Sequence, residues 1–426
     1  KLCESAIEEM AIEELQSLGY TYISGVDLAP DALNPERSSY GDVLLMGRLQ
    51  TAVHKLNPTI PADAIQGAVR KLSRIATSSL LADNEEFHKM LVDGVPVEYR
   101  KGSDIKGDSV RVVDFDCPLN NEFLVVNQYT VVQNNNNKRP DVLLFVNGVP
   151  LVIFELKNPA DENATCHKAY EQLQAYKLAI PGLFTYNEIC IISDGLEAKA
   201  GSLTAPYSRF STWKTKDGIK EAAKFDNELS TLIHGLCNPA TLIDYIQNFV
   251  TYEKTQTEDK VTHIVKVETV KKIAAYHQYY AVNKALEQTI RASGYSNNST
   301  NMVREDPASY GLPSASDQPK GDRKAGVIWH TQGSGKSLSM VFYTGKIVRA
   351  LNNPTIVVIT DRNDLDDQLF DTFAGNSQLL RQPPTQANSC EELKTLLKVA
   401  SGGIVFTTIQ KFISDNNSSA YELLSE

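Results

Sequence analysis

The stretch that most constrains this chain runs from Asp141 to Lys157: Asp-Val-Leu-Leu-Phe-Val-Asn-Gly-Val-Pro-Leu-Val-Ile-Phe-Glu-Leu-Lys. Two apolar runs flank Asn147-Gly148, a strong short-range hairpin signal. The outer ends of the expected hairpin carry Asp141 on one arm and Glu155 and Lys157 on the other. Charge at the rim of an apolar core costs stability unless it is paired. Two carboxylates beside an ammonium suit a divalent-cation site, the carboxylates neutralising the ion and the lysine polarising a water or leaving oxygen. A surface hairpin with solvated charged ends has the same pattern.

Side-chain alternation sharpens the choice. Regular pairing across a two-residue loop sets Val146 opposite Val149 and Asp141 opposite Phe154, so Asp141 and Glu155 fall on opposite sheet faces. A one-residue slip is needed to bring Asp141 opposite Glu155. Either a three-residue loop through Val149 or a bulge supplies it.

Beyond Asn158-Pro159 a helix is expected from about Asn163 to Ala179, stopped by Pro181-Gly182. Gln172 and Tyr176 stand four apart on one face of it, able to contact phosphate and orient the lysine. Two polar positions on an ordinary amphipathic helix would look the same. Pro140-Asp141 with Glu155-x-Lys157 has the form of a PD-(D/E)xK nuclease core. Asn127-Gln128, Arg139-Pro-Asp141, Asn147-Gly148-x-Pro150-Leu151, Glu155-x-Lys157 and Gln172-x-x-x-Tyr176 together resemble the nuclease domain of the motor subunit of type I restriction enzymes. Ser193-Asp194-Gly195 and Phe210-Ser-Thr-Trp213-Lys214 fit the same family. The resemblance implies Asp141, Glu155, Lys157, Gln172 and Tyr176 as catalytic, with Asp141 and Glu155 on the metal. A helix is expected from Leu2 to Tyr20, with Ile7, Ala11, Leu15 and Leu18 on one face and Glu4, Glu8 and Glu9 elsewhere. Many nucleases of this fold draw a metal ligand from such a helix. Glu8 is the candidate here, a solvated glutamate the plain alternative.

A second site is written downstream. Ala325 to His330 reads as a strand, Thr331-Gln-Gly333-Ser334-Gly335-Lys336-Ser337 as a loop, and Leu338 to Ala350 as a helix. Glycines let backbone N–H groups wrap phosphates at a helix N-terminus, with the lysine on the outer phosphates and the hydroxyl on Mg2+. Gly333, Ser334, Gly335, Lys336 and Ser337 are therefore expected to hold ATP. His330 stands where the general pattern has Gly, a departure that the type I motor family shares in its Trp-His-Thr-Gln-Gly-Ser-Gly-Lys-Ser run. Pro354–Thr360 with Asp361–Gln368, and Gly403–Lys411, resemble DNA-track motifs of superfamily-two helicases. Tyr276–Val282 resembles the segment that reads adenine through Gln278. Each could separately be a core strand or an amphipathic helix.

Composition bounds the rest. The 426 residues suffice for two to three domains, and 42% hydrophobic with 22% charged content is ordinary for a globular protein. Six cysteines show no metal spacing, as expected of free thiols in a reducing cytoplasm. No apolar run has membrane-spanning length. A net charge of −10 does not favour DNA, so DNA contact requires basic residues such as Lys157, Lys168, Arg209, Lys214 and Lys216 to cluster.

The expected fold is α/β: a PD-(D/E)xK restriction-endonuclease-like domain over 1–235, a helical connector over 236–260, and a partial RecA-like P-loop helicase lobe over 261–426. Residues 20 to 100 read as mostly helical, Asn134–Asn137 as a polar loop, and Ser293–Lys324 as an exposed insertion. No acidic Walker B strand or second-lobe arginine is visible, and no methionine opens the chain. The expectation is an N-terminal piece that does not hydrolyse ATP alone. The resemblance implies a type I site-specific endodeoxyribonuclease and DNA translocase using Mg2+ and ATP on double-stranded DNA. It implies modification and specificity subunits as partners, with S-adenosylmethionine entering only through them. A different nuclease–helicase fusion of repair or phage defence, and a non-catalytic nucleotide-binding docking module, are the competing classes.

Overall fold

The computed structural model describes residues 4–158, 165–223, 226–258, 263, 265–295, 319–398 and 401–412. Two compact units divide the chain, one reaching Gln247 and one beginning at Asn248. Among the described residues no helix is long and apolar enough to cross a membrane.

In the first unit α1 (Glu4–Ser17) leads into β1 (Thr21–Ser24). Helices α2 (Met46–Leu56), α3 (Ala62–Leu72) and α4 (Leu80–Asp93) follow. A ribbon of β2 (Val95–Lys101) and β3 (Asp104–Val110) precedes β4 (Phe123–Asn127). The polar run expected as a loop is instead the turn of a small hairpin, β5 (Val131–Gln133) and β6 (Asn136–Lys138). Asn134 and Asn135 hold its left-handed positions at φ 50° and 63°, a conformation asparagine tolerates. The central hairpin is β7 (Val142–Val146) and β8 (Val149–Leu156), buried at every position. Then come α5 (Cys166–Ala179), α6 (Pro181–Thr185), β9 (Ile189–Ser193) and β10 (Ala198–Gly201). Helices α7 (Glu228–Leu236) and α8 (Pro239–Asn248) complete the unit.

The expected start of α5 at Asn163 lies outside the described residues, where Leu2 of the first helix also lies; Thr165 caps α5 by accepting from the Lys168 N–H. Pro181 opens α6 as well as ending α5, because its missing N–H costs nothing in a first turn. The stretch 236–260 is helical only as far as Asn248; Val250–Glu258 is a strand, in keeping with its β-branched and aromatic start.

The sheet has six strands in the order β1-β4-β7-β8-β9-β10. β1, unforeseen among the helices, runs parallel to β4, and β8 runs parallel to β9. One face carries Leu143, Phe145 and Ile153 into a core shared with Ala169, Leu173 and Tyr176 of α5.

The β7–β8 turn is the two-residue loop, with Asn147 at φ 52° and Gly148 at φ 80°. Phe145 pairs Pro150 but Leu144 pairs Val152, which leaves Leu151 as a bulge. Beyond it Val142 pairs Phe154, so the next rung sets Asp141 opposite Glu155. The Asn147 carboxamide fixes the turn, accepting from the Glu122 N–H at 2.8 Å and donating to the Val112 carbonyl at 2.9 Å. The Gly148 carbonyl accepts the Leu45 N–H at 2.9 Å.

The second unit begins with a ribbon, β11 (Val250–Glu258) and β12 (Val265–Ile273), followed by α9 (Tyr276–Ser293). Of the expected insertion, residues 296–318 lie outside the described residues. Then follow α10 (Lys336–Ala350), β13 (Ile356–Thr360), α11 (Asn363–Gly375) and α12 (Ser377–Leu380). The last elements are β14 (Pro384–Gln386), α13 (Cys390–Leu396) and β15 (Ile404–Thr408). A parallel sheet orders them β13-β15-β14.

The strand expected at Ala325–His330 does not form. The segment is irregular, with Val327 96% and Trp329 82% exposed. Apolar content alone does not make a strand without a ladder partner, and the described parallel sheet pairs β13 and β14 only with β15.

Gly148 gives a direct test of the turn. A Cβ there would stand 2.6 Å from the Leu45 carbonyl oxygen, at a positive φ of 80°. Gly148→Ala should lower the stability of the first unit by about 2–4 kcal/mol through strain and overpacking together. Urea unfolding followed by circular dichroism measures it; an unshifted midpoint would show that the turn is not tightly held.

Candidate active site

β8 alternates faces along its length, so Ile153, Glu155 and Lys157 share the side covered by α5. Glu155 is wholly buried. Its Oε1 lies 2.5 Å from the Lys157 Nζ, and that ammonium also donates to the Leu156 carbonyl at 3.1 Å. Asp141, half-buried at the entry to β7, accepts the Leu156 N–H on its Oδ2 at 2.6 Å. The bond ties the two arms together between Glu155 and Lys157. Asp141, Glu155 and Lys157 therefore meet at one end of the hairpin, as the slipped register requires.

α5 lays Tyr176 over this end. Its ring is 5% exposed and belongs to the core, while its hydroxyl accepts from the Gln172 carboxamide at 2.6 Å and reaches the Arg139 carbonyl at 3.5 Å. Gln172, expected beside Lys157, is thus directed to Tyr176. Burial first, then the charge of Glu155, pushes the Tyr176 phenol well above its ordinary 10.0, with Asp141 adding to the rise. Tyr176 stays a neutral hydrogen-bonding group at every physiological pH.

Glu8 is buried, but its carboxylate accepts from Asn127 Nδ2 at 2.5 Å and from Gln128 Nε2 at 3.0 Å. Two carboxamides satisfy it, so its burial requires no cation. Among the described residues no group of three or more His, Cys, Asp or Glu stands together as a ready-made metal cage. Two carboxylates in register, one of them buried, form a hard oxygen donor set that fits Mg2+ or Mn2+, ions that keep waters and substrate oxygens in their other positions. Asn127-Gln128 enters from the sequence only as a motif; in the structure Gln128 donates its backbone N–H to the Asp141 carbonyl at 3.3 Å. Of the basic residues expected to gather for DNA, Lys157 and Lys168 pair with Glu155 and Glu171, and Lys216 donates to Ser230.

In the second unit Gly333 (φ 82°) and Gly335 (φ 79°) shape the loop, and Gly335 caps α10. Lys336 opens that helix and folds its ammonium onto the carbonyls of His330 at 3.0 Å and Thr331 at 3.1 Å. Ser337 follows in the first turn of α10, and Ser334 donates its N–H to the Thr331 carbonyl at 3.4 Å. Gln278, expected to face adenine, is 5% exposed and braces the loop. It donates to the Gly335 carbonyl at 3.0 Å and accepts the Ala275 N–H at 2.9 Å. His277, which sequence reasoning passed over, sits 3.1 Å from the Ser334 carbonyl. Burial, with His277 and Lys336 nearby, holds His330 below its ordinary 6.5.

Residues 1–209 match the family described as the type I restriction enzyme R protein N terminus, and residues 277–426 match the SWI2/SNF2 ATPase family. The two together define the class, a restriction-enzyme region followed by an ATPase region. The HindI type I restriction enzyme endonuclease subunit of Haemophilus influenzae is 43% identical over 100% of this chain and 38% of its own length. A Methanocaldococcus jannaschii protein named for an MjaIXP endonuclease subunit is 33% identical over 99% of this chain and 38% of its own length. The SauCOLORF180P endonuclease subunit of Staphylococcus aureus is 23% identical over 96% of this chain. The chain belongs to the type I restriction enzyme R-protein family. It spans 38% of the length of the first two relatives.

Tyr176 carries a pH test. Its folded pKa lies above the unfolded value, so its contribution is fully present below that value and is lost as pH rises beyond it toward the folded pKa. Urea midpoints should hold steady up to about pH 9 and fall by about pH 11. The fall should be smaller in Tyr176→Phe; an equal fall in both would place the phenol in water.

Proposed function

We propose that this chain supplies the nuclease centre and part of the ATP-driven motor of a type I restriction enzyme, acting on double-stranded DNA. The meeting of Asp141, Glu155 and Lys157 at one hairpin end carries the reading. Residues up to about 247 would form a PD-(D/E)xK nuclease domain and those beyond it a partial RecA-like helicase lobe. Asp141 and Glu155 would hold Mg2+. When bound, the ion would supply charge neutralisation at the scissile phosphate and a lower pKa for an attacking water. Lys157, held against Glu155, would place its ammonium where charge develops on the leaving oxygen. Tyr176, kept protonated, and Gln172 would orient these groups and keep bulk water away from Glu155.

In the second unit the glycine-formed loop before α10 would receive the ATP phosphates, Lys336 releasing its loop carbonyls for phosphate oxygens and Ser337 reaching Mg2+. Gln278 would hold the loop in shape as well as lying near the base. Modification and specificity subunits would supply sequence recognition and S-adenosylmethionine, and the cytoplasm is the fitting compartment for such an assembly. The names of the relatives and both family matches support this reading.

Two sets of variants test it in the full-length chain assembled with its partner subunits. Asp141→Ala, Glu155→Ala and Lys157→Ala should each reduce plasmid cutting by about 100-fold or more while DNA-stimulated ATP hydrolysis stays at the parent level. Lys336→Ala should abolish ATP hydrolysis. Normal cutting by Asp141→Ala would sink the nuclease assignment. Loss of both activities in all three hairpin variants, with loss of assembly, would assign them to the fold instead.

A further inference from the structure

The bulge that aligns Asp141 with Glu155 lies at the other end of β8, against a buried polar set that the proposed chemistry does not use. Pro150 has no N–H to give a ladder, and a proline in a central strand belongs at a bulge. Leu151, the unpaired residue next to it, would leave its carbonyl unsatisfied inside the core. That carbonyl accepts the Glu188 N–H at 2.7 Å and is approached by the Asn187 carboxamide at 3.4 Å. Asn187 also donates to the Ile189 carbonyl at 2.9 Å and accepts the Cys190 thiol at 3.2 Å. α4 backs this corner: Asn84 donates to the Asn187 carbonyl at 2.8 Å, and His88 Nδ1 lies 3.0 Å from Glu188 Oε1. Asn84 and Glu188 are wholly buried. A fully bonded buried polar network fixes one arrangement at the expense of its alternatives.

We propose that Asn187 and Glu188, backed by Asn84 and His88 of α4, are positioning residues that hold the β8 bulge at Leu151 and so set Asp141 opposite Glu155. In the regular register the Leu151 carbonyl would turn to β7 and leave the Glu188 N–H, while Asp141 would rotate to the face opposite Glu155. The catalytic consequence rests on the nuclease reading; the register itself does not.

Cysteine pairs read the register directly in the full-length chain. Directly opposed strand residues lie within disulfide reach. Val142→Cys with Phe154→Cys should therefore oxidise readily, and Val142→Cys with Ile153→Cys should not, as scored by peptide mapping. Adding Asn187→Ala should lower that preference roughly fivefold to tenfold, the equivalent of one buried hydrogen bond, and lower plasmid cutting with ATP hydrolysis retained. Should Asn187→Ala fail to fold, His88→Leu decides by the same two readouts, since it leaves Asn187 in place. An unchanged crosslink preference with unchanged cutting in a folded variant overturns the proposal. Asp141→Ala serves as the control for the underlying reading: full cutting by that variant would refute the nuclease assignment while leaving the crosslink result to stand or fall by itself.

Discussion

One unpaired residue, Leu151, decides what the first unit can do. Side chains on a strand alternate with period two, so a single inserted residue moves every later position on β8 to the other face relative to β7. With the bulge, Leu143, Phe145 and Ile153 enter one core under α5, and Asp141, Glu155 and Lys157 end on that side. Without it, the same apolar residues could still form a hairpin, but the two carboxylates would be separated by the thickness of the sheet.

The electrostatics at the other end of β8 depend on the same geometry. A wholly buried carboxylate such as Glu155 is tolerable only beside a cation or strong donors. The Lys157 ammonium at 2.5 Å supplies one. Tyr176 adds a hydroxyl kept protonated by its burial first and by the nearby negative charge second. A divalent ion would enter a place where negative charge is already concentrated and only partly offset, and where α5 keeps solvent back.

Much of this was legible in the residues. Asn147-Gly148 marked the turn, and alternation showed that a slip was needed for Asp141 to meet Glu155. Pro150 was the unread signal for where the slip occurs, because a residue without an N–H cannot continue a central ladder. Other features were hidden for physical reasons. β1 is four residues long and partly exposed, too short for a periodic signal. Helical periodicity set Glu8 apart from the Ile7 face, yet Glu8 and Ile12 are buried together with Ile7, Ala11 and Leu15, a face wider than one stripe. Gln278 had the right chemistry for a base edge, but the N-terminus of its own helix and the Gly335 carbonyl compete for the same carboxamide. Ala325–His330 has strand composition without a strand partner in the described sheet.

On the proposed reading Asp141 and Glu155 share a divalent cation at the mouth of the β7–β8 hairpin. Anomalous diffraction from crystals of the chain soaked in Mn2+ tests it most directly. A peak is expected within ordinary oxygen-coordination distance of both carboxylates, lost in Asp141→Ala crystals. Binding elsewhere, with Glu155 still closed on Lys157 and no peak beside it, would contradict it.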